Sequence, residues 1–279
     1  MQKSALATAG ALAAPSLMGY APEKIAEYGV QLYTVRDVLN KDFGGTLKSL
    51  RKIGYDYCES FGFDGTTVLG KSISETKEAH KKAKLPIKSI HILSSVMRGD
   101  WQQAVDNAKE LGAEYIVLAY LLPDERKTLD QYKALNDLIN KCAETSKKSG
   151  LQFLYHNHDF EFETLDGQEP YDLMLKQTDS YYVKMELDLY WVRYSDKDPL
   201  KMFREYGKRF PLWHVKDMEL AETRVMTEVG AGRIDWKQLF AHRTDAGLEG
   251  FFVEQDRNWA VDPVASTETS YKFLKALRY

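Results

Sequence analysis

The stretch Leu154-Tyr155-His156-Asn157-His158-Asp159-Phe160-Glu161-Phe162 decides how the chain folds. An apolar run from Leu151 to Tyr155 gives way abruptly to two histidines and two acids. A buried strand looks like this where it surfaces into a polar pocket. His156 and His158 stand two apart, so on a strand their side chains leave the same face. Three later segments end alike. Val183-Lys184-Met185-Glu186-Leu187-Asp188 ends in acids, Phe210 to Asp217 in His214 and Asp217, and Gly250-Phe251-Phe252-Val253-Glu254 in a glutamate. Four successive strands that each deliver a metal-type ligand at the carboxyl end call for one cause.

Working outward, strand candidates start near Gly29, Tyr55, Ile87, Ala113, Leu151, Tyr181, Pro211 and Gly250. They recur at roughly the spacing of one βαβ unit, about 30 residues. Most are short, rich in Val, Ile, Leu or aromatics, and lack polar alternation, as strands covered on both faces do. The Tyr181 segment reads as one strand through Trp191. Helical patterns lie between them, over 46–52, 101–111, 129–149, 199–206 and 263–277, several closed by glycine or opened by proline. Such alternation predicts parallel βαβ units, and eight of them close into a (β/α)8 barrel, the TIM barrel, as a single domain over 25–279. An open doubly wound sheet needs a glycine-rich turn after its first strand, and Thr34-Val35-Arg36-Asp37 is not one. Gly230-Ala231-Gly232 follows no strand and reads as a loop turning into the helix at Asp235 rather than a nucleotide cradle.

Composition narrows the function. The 279 residues are 44% hydrophobic and 28% charged, with a net charge of −3, which gives no electrostatic footprint for nucleic acid. Cys58 and Cys142 read as buried small hydrophobes. The Ala-rich run from Lys3 to Ala21 has the shape of a secretory h-region, too short to span a bilayer. It resembles the tail of a twin-arginine export signal without the Arg-Arg pair. The expectation is an exported or periplasmic protein, or a cytoplasmic one if that segment is no signal.

In a barrel of this kind the active site sits at the carboxyl ends of the strands. Those ends supply Gln31, Tyr33 and Arg36; Glu59; His91; Tyr120; His156, His158 and Glu161; Asp188 and Trp191; His214, Lys216 and Asp217; and Glu254 and Arg257. Imidazoles and carboxylates from successive strands can converge on one divalent ion. His156, Asp188, His214 and Glu254 are the expected ligands, for Mn, Zn, Co or Fe; the imidazoles count against Mg. Glu186 reads as a supporting partner or an acid facing the barrel interior.

Five segments carry a resemblance: Tyr28 to Asp37, Tyr155 to Phe162, Met185 to Val192, Trp213 to Asp217 and Glu228 to Trp236. Together they resemble the sugar phosphate isomerase/epimerase-like family of xylose isomerase-like barrels, which also includes endonuclease IV and inosose dehydratase. The resemblance implies a metal held at the ends of strands five to eight. Asp188, His214 and Glu254 match by position, while His156 stands where many relatives carry the glutamate of Glu-Asn-His. His158 or Glu161 could take its place. The extra ligands of the trinuclear nucleases are missing, so DNA repair is not expected.

The resemblance further implies a small carbohydrate substrate and proton abstraction next to a carbonyl, through an enediolate. Glu161, His158 and Glu59 are then acid/base candidates, and Lys216 a stabiliser of oxyanion charge. Arg36, Arg257, His91 and Trp191 are the expected substrate contacts. Isomerase or epimerase is the first expectation, a keto-sugar or keto-glycoside lyase or dehydratase the second, and a non-catalytic sugar-binding barrel the third. No membrane span is expected, and homo-oligomerisation is left open.

Overall fold

The computed structural model describes residues 23–279; the segment read as an export signal lies outside the described residues. Eight parallel strands close on themselves: β1 (Gly29–Gln31), β2 (Tyr57–Ser60), β3 (Ile87–Leu93), β4 (Tyr115–Tyr120), β5 (Gln152–His156), β6 (Val183–Asp188), β7 (Leu212–Val215) and β8 (Gly250–Val253). Gly29 pairs with Tyr57 on one side and Phe252 on the other, which closes the ring. The expected barrel is what the chain forms.

The backbone of Glu23 exchanges hydrogen bonds with that of Tyr279 at 2.9 and 3.3 Å, so the described chain ends are tied together.

Helices between the strands begin where short polar side chains meet free amides. Asp42 caps α1 (Phe43–Ile53), Ser72 and Glu75 form a capping box on α2 (Ile73–Ala83), and Asp100 caps α3 (Trp101–Glu110). Thr128 and Gln131 do the same for α4 (Leu129–Lys148). Such caps satisfy amides that have no partner within the helix. One expected boundary moves. β6 stops at Asp188, because its carboxylate accepts from Tyr190 N at 2.9 Å and Trp191 N at 3.1 Å and opens a short helix, Leu189–Tyr194. Cys58 and Cys142 are free and buried, as expected. No helix among the described residues is long and apolar enough to cross a membrane.

The period of two along each strand builds the barrel interior in layers. Tyr57, Tyr115, Val117, Leu154, Leu212 and Phe252 form a separate apolar cluster. Gly29 belongs to this level: a Cβ there would lie 2.3 Å from the Tyr57 ring and 2.2 Å from Phe251 O. Two residues further along the same strands stand Gln31, Glu59, His156, His214 and Glu254, all buried. The apolar layer therefore forms the floor of a polar one.

Candidate active site

The polar layer is a continuous cluster of buried acids and imidazoles. Its inner part is built around two glutamates. Glu186 Oε2 lies 2.8 Å from His91 Nε2 and 3.1 Å from both His156 Nδ1 and His214 Nε2. Glu59 Oε2 accepts from Gln31 Nε2 at 2.7 Å and lies 2.9 Å from His91 Nε2 and 2.6 Å from His214 Nε2. The His91 and His214 rings stack with centroids 5.3 Å apart.

The outer part lies nearer the strand ends and is buried as well. His214 Nδ1 lies 2.7 Å from Glu254 Oε2, so this one ring bridges the two parts. His156 Nε2 stands 3.6 Å from Asp188 Oδ2. Lys216 Nζ sits between the acids, 2.9 Å from Asp188 Oδ2, 2.5 Å from Glu254 Oε2 and 3.5 Å from Asp256 Oδ2. Asp188 is held from behind: Asn157 Oδ1 accepts from its backbone N–H at 3.0 Å.

Charge and burial set the protonation states. Burial alone would raise Glu59, but charge on His91 and His214 holds its pKa well below the carboxylate range. Burial alone would lower His91, and Glu59 and Glu186 instead lift it to about 9. His214 is held up in the same way, against its burial, by Glu186, Glu254 and Glu59. Lys216 stays charged because Asp188, Asp256 and Glu254 outweigh its desolvation. Burial wins at His156 and His158, whose imidazoles are held neutral, with neighbouring charge on His214 and Lys216 respectively adding to the effect. Burial also raises Asp188, against the pull of Lys216, and lifts Asp256 to about 6.

With the five carboxylates of Glu59, Glu186, Asp188, Glu254 and Asp256 ionised, Lys216, His91 and His214 leave two negative charges unbalanced. A buried surplus of that size is costly unless a cation or protons offset it. Three buried carboxylate oxygens also lack hydrogen bonds: Glu59 Oε1, Glu186 Oε1 and Asp188 Oδ2, the last close to Lys216 but not aligned for one. Two overlapping groups have ligand atoms close enough to share an ion: His91, His156, Glu186 and His214, and Asp188, His214 and Glu254. The residues thus fit a divalent cation by charge, donor type and spacing. The four ligands expected from the sequence divide between the groups, with His214 common to both.

Above the cluster opens a cavity of about 820 Å³, lined by His91, His156, His158, Trp191, Lys216, Glu254 and Asp256 on one side. His158 stacks on Phe160 and lies edge-on to Tyr120, and its Nδ1 has no partner.

Other expected site residues stand elsewhere. Glu161 does not line the cavity. It is wholly buried beside β5, bonded to Tyr155 Oη at 2.5 Å and His158 N at 2.8 Å, and burial raises its pKa to about 8. Tyr155 points away from the barrel axis, opposite to His156, and takes Glu161 with it. Glu59 lies beneath the cavity, behind His91 and His214. Arg36 braces the rim, donating to Asp256 O at 2.9 Å with its guanidinium over the Tyr33 ring. Arg257 is exposed outside the cavity lining. Asp217 turns away and accepts from Met218 N, Gly230 N, Ile234 N and Trp236 Nε1, which fixes the Gly230-Ala231-Gly232 loop as structure. Asp256 was missed. It follows Glu254 by two, the same spacing that relates His156 to His158, and that signal could have found it.

Residues 47–277 match the model of the xylose isomerase-like TIM barrel. An inosose dehydratase of Geobacillus thermodenitrificans is 25% identical over 168 residues, 54% of each chain; the present chain thus spans about half the length of that relative. A sugar phosphate isomerase/epimerase from Parabacteroides distasonis is 27% identical, with a TM-score of 0.79 over 93% of this chain and 96% of its own. The fold is also that of an IolI protein with a binding zinc atom, at TM-score 0.70 and 16% identity over 88% and 96% of the two chains.

Proposed function

The chain belongs to the xylose isomerase-like TIM-barrel family, and on that premise we propose that it is a divalent-metal-dependent sugar isomerase or epimerase that works by enolisation. The observation that carries this reading is the pairing of a neutral imidazole, His158, with a charged amine, Lys216, on the wall of one cavity above the acid–imidazole cluster. A divalent ion at His156, Asp188, His214 and Glu254, of the Mn, Zn, Co or Fe type, would supply Lewis acidity toward a carbonyl and its neighbouring hydroxyl.

The chain's own residues do the rest. The neutral imidazole of His158, on the cavity wall, takes the proton from the carbon beside the carbonyl. Lys216 Nζ donates to the oxygen on which charge develops. Return of the proton to the other face of the same carbon gives an epimer, and its transfer to the neighbouring carbon gives an isomer. The closed floor and the buried acids hold these groups in place without reorganisation. Asn157 fixes Asp188, and Glu161 fixes the backbone of His158.

Dehydration is the second reading, favoured by the Geobacillus relative. Here the electron pair released at the carbon expels a β-hydroxyl, which leaves as water with a proton from Asp256, whose pKa of about 6 suits an acid near neutrality. Incubating the metal-supplied protein with keto-hexoses and inososes in D2O separates these outcomes by NMR. Deuterium at the carbon next to the carbonyl, lost in His158→Asn, supports enolisation, and the product then tells isomer from dehydration product. Retention of the C–H through turnover would refute it.

A further inference from the structure

The cavity has two unlike halves. The ends of β5 to β8 provide the polar half described above. The ends of β1 to β4 and the loops after them provide Tyr33, Phe61, Phe63, Leu93, Val96 and Tyr120. Tyr33 and Leu93 are 41% and 44% exposed, and Phe61 stands edge-on to Tyr33 at 5.2 Å. Apolar side chains gathered at the mouth of a site are uncovered at a cost that only an occupant relieves.

Size argues for the same occupant. If every non-hydrogen atom took the full ~30 Å³ of a liquid water, a hexose of twelve such atoms would fill about 360 Å³. The cavity holds about 820 Å³. More than half is therefore free once a single sugar sits against His158 and Lys216.

Of the two acids in this half, Asp64 has no spare capacity for hydroxyl groups. Asp64 accepts from the amides and hydroxyls of both Thr66 and Thr67 at 2.6–2.9 Å. Asp100 caps α3 through Gln103 N at 3.1 Å and is exposed, as are Ser95 and Gln103 beside it in the lining. A second sugar ring would find partners at Ser95, Asp100 and Gln103 but would bury its remaining hydroxyls against the apolar side chains, which is unfavourable. A flat apolar ring would bury its faces against Phe61, Leu93 and Tyr120 instead.

Resting on the functional reading above for the sugar half, we propose that the substrate is a keto-sugar glycoside with an aromatic aglycone, and that Tyr33, Phe61 and Leu93 form the aglycone subsite. None of the three belongs to the acid–imidazole cluster.

Titration calorimetry on the purified protein tests this with three probes: the phenyl and methyl 3-keto-glucosides and a 3-keto-disaccharide. The phenyl glycoside is expected to bind about tenfold tighter than the methyl one, with the disaccharide no tighter than the methyl glycoside. In Phe61→Ala and in Leu93→Ala, the second being an exposed position that folding tolerates, the phenyl advantage falls below threefold while methyl glycoside affinity stays within twofold. Equal affinity for all three probes, a disaccharide preference, or a phenyl advantage that survives both substitutions would overturn the proposal. Deuterium exchange on the same probes keeps the two readings apart. Exchange without phenyl preference sinks only the subsite, and phenyl preference without exchange sinks only the enolisation.

Discussion

Lys216→Met is the most informative perturbation of the cluster. The ammonium lies 2.9 Å from Asp188 Oδ2 and 2.5 Å from Glu254 Oε2, two of the oxygens expected to ligate a cation. At an effective dielectric near 20, each contact is worth about 6 kcal/mol of gross attraction, most of it offset by desolvation. The net effect of removing one partner from a buried ion pair is a loss of about 3–5 kcal/mol. Methionine keeps the length of the side chain and leaves both carboxylates uncompensated. Without added metal, the variant is expected to melt about 6–20 °C lower, at roughly 2–4 °C per kcal/mol for a chain of this size. A divalent ion then binds the variant at least tenfold tighter than the parent, because it no longer displaces an internal cation and because binding restores the lost stability. Thermal denaturation against a series of Zn and Mn concentrations reads both effects. Weaker or unchanged metal binding in Lys216→Met would refute competition between ammonium and ion.

Asp188→Ala and His214→Ala should each lose bound metal, read by elemental analysis, while circular dichroism shows a folded barrel; stoichiometric metal in either variant would remove that residue from the ligand set. Glu161→Gln should keep turnover within about fivefold, since the side chain braces His158 rather than touching substrate. Its acid carries a folded pKa of about 8, above the ordinary carboxylate value near 4.3, so the native state holds a proton that the unfolded chain has released. Stability therefore falls as pH rises from about 4.5 to 8, by up to ~1.4 kcal/mol per pH unit, and denaturant titrations of Glu161→Gln should lose that slope. Gly29→Ala should prevent soluble expression or cost upward of about 4 kcal/mol, because its Cβ would meet Phe251 O at 2.2 Å; a variant within 1 kcal/mol of the parent would contradict the packing of the barrel floor.

The barrel was legible because parallel strands buried on both faces read as apolar runs, and each βαβ unit left its mark in chain order. The boundary after Asp188 was not legible. Leu189-Tyr190-Trp191-Val192 has the composition of a strand, and only the Asp188 carboxylate on two following amides turns it into helix. The cluster was legible as a set of strand ends, since the period of two fixes which side chains point inward. Which inward acid reaches the cavity depends on depth. Glu59 and Glu186 look no different in sequence from Glu254, yet they pack below the imidazoles while Glu254 reaches the opening. Glu161 misled for a related reason. Past the end of β5 the period of two lapses, and a short 3-10 turn, Phe160–Phe162, carries the acid back toward Tyr155.

The depth of those acids bears on the imidazole at position 156. Replacing a carboxylate by a neutral histidine removes one negative charge from a cation site, and by itself weakens it. In this chain Glu186 Oε2 stands 3.1 Å from Nδ1 of His156, on the far side of the ring from the Nε2 that faces Asp188. A carboxylate behind an imidazole fixes its tautomer and raises the basicity of the nitrogen in front. Glu59 and Glu186 stand in the same relation to His214, whose Nδ1 faces Glu254. The cluster thus carries negative charge one layer behind both imidazoles. A divalent ion at the proposed ligands would feel that charge while meeting fewer carboxylates on the substrate side. With two imidazoles and two carboxylates as the proposed ligands, the donor set would favour Mn, Zn, Co or Fe over Mg.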